Sequence, residues 1–474
     1  MTDLFALSAT EQVRLVRNRA VSPVDLVEAA LARIEAVQPV LNPFALVFAE
    51  EARAAARAAE AAVERGEELG PLHGLPVAFK DFTPTKGHST TRGSHCYADW
   101  MADEDPVIVQ RFKAAGAIIL GKTTTPEFAH SSFTVSQLWG ETGNPWDPAR
   151  CSGGSSGGSG VAVTTGCVAL AEGTDMGGSV RIPAALCSCV GLKPSLGRIP
   201  MHILPFVLDD MSHFGPLART IYDAALFLRI AEGPSDADIQ RQVAPRPLPE
   251  RFDTDLTGLS LALTPDFGLY RVAPEVEANL RATAVALAEA GAVVEEVDLA
   301  IDFDMLQAWT DWWGVYLAAC FGHLLADSRD RLDPYVVRLM EAGLRMNAVD
   351  FKRIETTRTE LWRSLAAVFA RHDALLCPTM ARGAPLNAES GRKFWKPGAD
   401  GRIEGLDITE FLNMTAQCPA LSVPSGVTAE GLPTAIQIVA RRFDDPTALR
   451  IGAAVEARRP WRQWSLADLG AARG

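Results

Sequence analysis

The stretch from Cys151 to Pro183, CSGGSSGGSGVAVTTGCVALAEGTDMGGSVRIP, constrains this chain more than any other. Gly and Ser dominate both ends, and a small-apolar, strand-like run from Val161 to Leu170 separates them. Glycine runs let a backbone approach a substrate closely. They also free successive N–H groups to converge on one cavity, as a developing oxyanion requires. A flexible Gly/Ser linker is the plain alternative. Linkers, however, do not embed Asp175, Arg181 and Pro183 beside an apolar run. Two serines stand out, Ser155 in GGSSGG and Ser179 in DMGGSVR.

What surrounds that stretch limits the function classes. The 474 residues are 48% apolar, enough for one large α/β unit or two domains. A net charge of −13 argues against nucleic acid and anionic membrane surfaces as partners. Met1 to Leu7 carries Asp3 and no basic region, so no signal peptide is read there. No apolar run approaches the ~20 residues of a membrane span. The eight cysteines are scattered without a CxxC pair, which predicts buried free thiols in a cytoplasmic protein.

Along the chain, helical and strand signals alternate. Ser22 caps a helix with Pro23 at its first position, and an Ala-rich helix runs from Phe48 to about Arg65, stopped by Gly66. Gly74-Leu-Pro-Val-Ala-Phe-Lys80-Asp81 is strand-like and delivers Lys80 at a strand end. A lysine among apolar neighbours has a lowered pKa and can serve as a base; a snorkelling edge lysine is the alternative. Further helices are expected at Pro106–Ala115, Ile221–Glu232, Pro274–Ala290 and Thr447–Arg458. Strands are expected at Ala117–Leu120, Leu259–Leu263, Ala292–Val297, Ala374–Cys377, Ala420–Val423 and Ala435–Val439. This alternation argues for an α/β domain. Val243 to Pro249 reads as a connection, and Gly383 to Gly405 as a long polar rim carrying Phe394 and Trp395. Trp309, Trp312, Trp313, Tyr316 and Phe321 cluster in one helical segment, either as core or as the wall of a hydrophobic substrate funnel.

Three motif matches are set aside on context. Gly116 to Thr123 fits the phosphate-loop pattern, but its interior is apolar and β-branched, and Pro126 follows where a helix should open. Gly153 to Gly157 fits the nucleophile elbow of α/β-hydrolases, yet none of His213, His323 or His372 sits in a loop-like setting. Ser390 to Lys393 fits SxxK without a helix pattern.

Lys80 in GLPVAFKD, Ser155 in SGGSSGGS and Ser179 in GTDMGGSVRIP together resemble the amidase signature family. AGAIILGKTTTPEFA, GNPWDPARCSGGSSGGS, GLKPSLGRIP, GPLART, CPALSVPSG and GLPTAIQIVA extend the resemblance from about residue 70 to about residue 455. The spacing of 24 positions from Ser155 to Ser179 also fits. The resemblance implies a single α/β/α domain over 1–474, with a mixed sheet of about eleven strands. Within it, 1–68 would be N-terminal packing helices, 70–200 the signature core, and 201–474 the remaining sheet, funnel helices and loops.

The same resemblance implies a Ser–cis-Ser–Lys triad, with Ser179 as nucleophile, Ser155 as bridge across a cis Gly154–Ser155 peptide, and Lys80 as base. It implies an oxyanion hole from the N–H groups of Met176, Gly177, Gly178 and Ser179, and neither metal nor organic cofactor. The chemistry is coherent: a serine hydroxyl needs a base, and a lysine accepts a proton only when neutral. A hydroxyl between them both donates and accepts. Ser156, Asp175 and Arg181 are expected to support the loop, the last two as a buried pair. Gly154 and Ala129 are expected at the substrate, Ala129 by its place in the family alignment, which implies a roomy acyl side.

Some positions depart from the family's glutaminase subunits. Leu406 stands where those carry an Asp, Gln417 replaces a Gly before Pro419, and Ala435 and Ala440 replace glycines. These disfavour a glutaminase subunit of a tRNA-dependent complex; a subunit of an amidotransferase or multi-subunit amide hydrolase remains the alternative. The expected protein is a stand-alone hydrolase of an uncharged aryl or alkyl amide, with water as co-substrate and a homodimer left open. Esters and carbamates (urethanes) pass through similar tetrahedral intermediates and suit the same site. Specificity is expected in Phe128–Leu138, Met201–Met211, Met305–Phe321 and Ala381–Gly405.

Overall fold

The computed structural model describes residues 4–242, 244–391 and 394–471. Asp3, Val243 at the head of the expected connection, and Lys393 of the SxxK match lie outside the described residues.

One sheet of 11 strands carries the fold. In chain order its strands are β1 (Phe44–Val47), β2 (Pro76–Lys80), β3 (Ile118–Thr123), β4 (Leu170–Asp175), β5 (Val190–Lys193), β6 (His213–Ala218), β7 (Ser260–Leu263), β8 (Val293–Glu296), β9 (Ala374–Pro378), β10 (Ala420–Val427) and β11 (Pro433–Ala440). Across the sheet they run β1-β3-β2-β4-β6-β5-β10-β11-β9-β7-β8. The sheet is mixed: β2 lies parallel to both β3 and β4, while β4, β6, β5, β10, β11 and β9 follow as antiparallel neighbours.

Side chains alternate between two cores, as a strand's period of two requires. Val77 and Phe79 of β2 join one apolar cluster with Phe112 and Phe227, whereas Ala78 joins another with Val27, Ala56 and Val161. Helices therefore cover both faces. The Ser22 cap, with Asp25 closing a capping box, starts the helix Pro23–Leu41, and Gly66 ends the helix Ala49–Arg65 in the left-handed region. The remaining expected helices and strands are present within a few residues of their predicted ends.

Two expectations change. The run from Val161 is not a strand at its start: Gly157–Thr164 is a helix, and β4 begins only at Leu170. All eight residues of that helix are buried, so it has no polar stripe by which sequence periodicity could reveal it. The loop after Gly383 is not simply a rim, because Phe394 is buried and stacks on Phe133, 6.2 Å between ring centres.

The rejected phosphate-loop lysine, Lys122, lies within β3 and is fully buried, hydrogen-bonded to the Thr83 carbonyl and to Thr90 Oγ1. All eight cysteines are unpaired and all but Cys96 are buried; burial pushes the Cys151 and Cys167 thiols up to about 12. Among the described residues no helix is long and apolar enough to cross a membrane.

Candidate active site

Strand β2 ends at Lys80, whose side chain is completely buried. Its Nζ lies 2.6 Å from Ser155 Oγ and 2.9 Å from Thr174 Oγ1. Burial lowers the Lys80 pKa from 10.5 toward neutrality, and the negative charges of Glu172 and Asp175 oppose that fall. Asp81 leaves the strand and turns its carboxylate to Thr91, accepting from the Thr91 N–H and hydroxyl.

Ser155 follows a cis Gly154–Ser155 peptide and is also completely buried. The next residue joins the two serine segments: Ser156 N–H donates to the Ser179 carbonyl at 3.1 Å, and Ser156 Oγ to the Thr174 carbonyl at 3.3 Å. Ser179 itself is partly exposed, as is Gly177, between the buried Met176, Gly178 and Val180.

The loop from Asp175 to Val180 is fixed from three directions. Asp175 Oδ1 accepts from Gly178 N–H at 2.8 Å, so this member of the expected oxyanion set is already engaged with the scaffold. Met176, Gly177 and Ser179 are the other members of that expected set. Trp309 Nε1 donates to the Met176 carbonyl at 3.2 Å, and Thr409 Oγ1 to the Gly177 carbonyl at 2.7 Å. Gly178 has φ +116, and a Cβ there would stand 2.0 Å from Thr409 Oγ1; a Cβ on Gly177 would stand 2.3 Å from Trp309 Cζ2. Neither position has room for a side chain.

Asp175 and Arg181 form the expected buried pair, at 3.0 Å with both side chains inaccessible. Burial alone would raise the Asp175 carboxyl, but the Arg181 guanidinium and the Asn413 amide outweigh it and hold the carboxyl well below the carboxylate range. Arg181 also bonds Thr409 O, Gln437 Oε1 and Asn413 Oδ1. No local motif announces Thr409, Asn413 and Gln437 as loop supports, because they lie more than 220 residues from Arg181. Glu172 and Thr174 are legible in the sequence only as strand residues.

Ala129 is buried at φ +59, beside Phe128, whose ring stacks on Phe321 at 4.1 Å. Two of the three histidines weighed for the elbow pattern are engaged elsewhere: His213 bonds Met211 O and His372 bonds Ser260 Oγ. Among the described residues no group of three or more His, Cys, Asp or Glu is arranged to hold a metal ion.

The Amidase family model matches residues 25–449. This chain belongs to the amidase family. An acylamidase from Rhodococcus erythropolis is 37% identical over 470 residues, 98% of each chain. The amidase of Pseudomonas putida is 34% identical over 473 residues, again 98% of each chain. The crystal structure of a bacterial aryl acylamidase of the amidase signature family superimposes with a TM-score of 0.89, at 29% identity and 97% coverage of both chains. The amidase described here is thus an amide-hydrolysing enzyme on the sheet expected of that family.

Proposed function

We propose that this amidase is a stand-alone hydrolase of uncharged aryl or alkyl amides, acting through an acyl-enzyme on Ser179. One observation carries the choice of nucleophile: Ser179 is partly exposed while Ser155 is sealed against Lys80. Ser179 Oγ attacks the amide carbon, its proton passing through the Ser155 hydroxyl to neutral Lys80. The Met176, Gly177 and Ser179 N–H groups face the developing oxyanion. The relay then runs backward, protonating the departing amine, and water releases the acyl group by the same route.

The relatives named acylamidase and aryl acylamidase support an amide with an apolar substituent. A cavity of about 580 Å³, lined by Phe206, Asp209, Trp312, Tyr316, Ile354 and Arg358 among others, opens along the same helix that reaches the Met176–Gly177 loop, although none of Lys80, Ser155, Ser179 or Ala129 lines it. It draws on two of the segments expected to set specificity, Met201–Met211 and Met305–Phe321. The helix Phe303–Phe321 contributes Trp312 and Tyr316 to this wall and Trp309 to the Met176–Gly177 loop. Against a glutaminase role, Leu406 is packed with Phe133, Phe394 and Ala435, and the neighbouring Asp407 carboxylate is taken up by the Ser132 and Thr409 hydroxyls. The acidic chain and its buried thiols fit a cytoplasmic enzyme without nucleic-acid partners.

The test is a panel of anilides, aliphatic amides, esters and carbamates ranked by kcat/KM. Neutral anilides or alkyl amides should lead; a preference for glutamine would refute the proposal. Trp312→Ala should raise KM for a bulky anilide about tenfold, by loss of its buried contact area, and leave a small amide unaffected. Trp313 is not part of the cavity wall and stacks between Trp309 and Tyr316, with ring centres at 6.2 and 5.4 Å. Trp313→Ala should instead lower thermal stability, by about 3–5 kcal/mol, for every substrate alike.

A further inference from the structure

Beneath Lys80 lies a carboxylate that the amide-hydrolysis scheme does not use. Glu172 sits in β4, only 1% exposed. Its Oε2 accepts the backbone N–H of Lys80 at 2.9 Å, and its Oε1 accepts from Thr83 Oγ1 at 3.1 Å. Two residues along the same strand, Thr174 Oγ1 receives the Lys80 ammonium or amine at 2.9 Å. One strand therefore grips the lysine at both ends, the main chain through Glu172 and the Nζ through Thr174.

We infer that Glu172 is a positioning residue that fixes Lys80 under Ser155 and, when ionised, sets the pH at which Lys80 becomes a base.

The charges around the pair are few. Lys80 faces Glu172 and Asp175, both from β4, and the Phe82 ring, 5.9 Å from Nζ. Asp175 is compensated by Arg181. Glu172 faces Lys80 and, from β3, Lys122, while Asp81 acts on Lys122 from the other side. Two buried lysines and two buried carboxylates thus alternate behind the serines. Burial raises the Glu172 carboxyl to about 7 and outweighs the Lys80 N–H, the Thr83 hydroxyl and the two lysine charges, so Glu172 and Lys80 exchange protons over one pH range. An anionic Glu172 favours the ammonium form of Lys80; without it, Lys80 would lose its proton at lower pH.

The inference rests on Lys80 being the base, and the variants separate the two ideas. Glu172→Gln keeps the shape and an acceptor for the Lys80 N–H but removes the charge. The acid limb of its kcat/KM profile should move down by about one pH unit relative to wild type, and Glu172→Asp should bring it back toward the wild-type position. Thr83→Val, which removes one donor to the carboxylate, should move the limb the same way by less; it serves if Glu172→Gln does not fold. An acid limb that stays at the wild-type pH, or moves upward, in whichever of these variants is folded overturns the inference. Lys80→Met is run alongside: if it stays active the base assignment falls, whereas an inactive Lys80→Met with an unmoved Glu172→Gln limb removes only the role of Glu172.

Discussion

Ser179→Ala is expected to lower kcat by roughly four to six orders of magnitude while the protein melts as the wild type does. The upper figure corresponds to about 8 kcal/mol of transition-state stabilisation. Serine and alanine differ by one oxygen, and the loop that carries Ser179 is held by other atoms: the Ser179 carbonyl through Ser156, the Met176 carbonyl through Trp309, and the Gly177 carbonyl through Thr409. The variant should therefore keep its fold and lose the atom that forms the acyl bond. A fluorophosphonate probe followed by peptide mass spectrometry should mark Ser179 in the wild type and nothing in the variant. Label on Ser155 would reverse the assignment of the two serines.

Lys80→Met should reduce kcat on an amide by roughly three to four orders of magnitude, because both serines lose their base. An ester should survive better, since its leaving group needs less protonation than an amine. Near-wild-type kcat on an amide at neutral pH would refute the assignment. In the wild type, activity should rise with pH as Lys80 deprotonates, at a pH well below the ordinary 10.5 because the side chain is sealed from water. The same shift has a stability signature. Between the lowered native value and 10.5, the unfolded chain holds a proton on Lys80 that the native state lacks. Wild-type stability therefore climbs with pH through that window. Lys80→Met has no such proton to take up, so its melting temperature relative to wild type should be most favourable near neutrality and fall as pH approaches 10.5.

Much of the candidate site is legible from local sequence because Lys80, Ser155 and Ser179 lie in two short segments. Lys80 ends an apolar run that can only be a strand, and Ser155 and Ser179 are bracketed by glycines that leave no space for side chains. The cap at Ser22 and the stop at Gly66 are equally local, so the first helices could be delimited closely. What sequence hides is long-range or featureless. The helix Gly157–Thr164 is buried on every side and shows no period. The helices Pro334–Arg345 and Ala348–Phe369 are absent from the sequence-based expectations; the second is mostly exposed, burying only Ile354, Leu361, Leu365 and Phe369 of its 22 residues, too sparse a stripe to read. The engagement of Gly178 N–H by Asp175 depends on a loop geometry that glycine permits but does not encode. Glu172 looks like one polar residue in a strand, and its meaning comes only from the N–H of Lys80, 92 positions earlier.

The partners of Arg181 also bear on how the enzyme comes into being on the ribosome. Lys80, Ser155 and Ser179 are all translated before residue 180, yet Arg181 must wait for Thr409, Asn413 and Gln437, which lie 228, 232 and 256 positions downstream. At ~5–20 residues per second the wait for the last of them is about 13–51 s. Throughout it, the nascent chain carries Lys80, Ser155 and Ser179, while the buried arginine that fixes the Ser179 loop has no more than part of its cage. Premature termination anywhere before Gln437 leaves the same unfinished state. The Arg181 cage that fixes the Ser179 loop is therefore completed only when the chain has passed Gln437, near the end of translation.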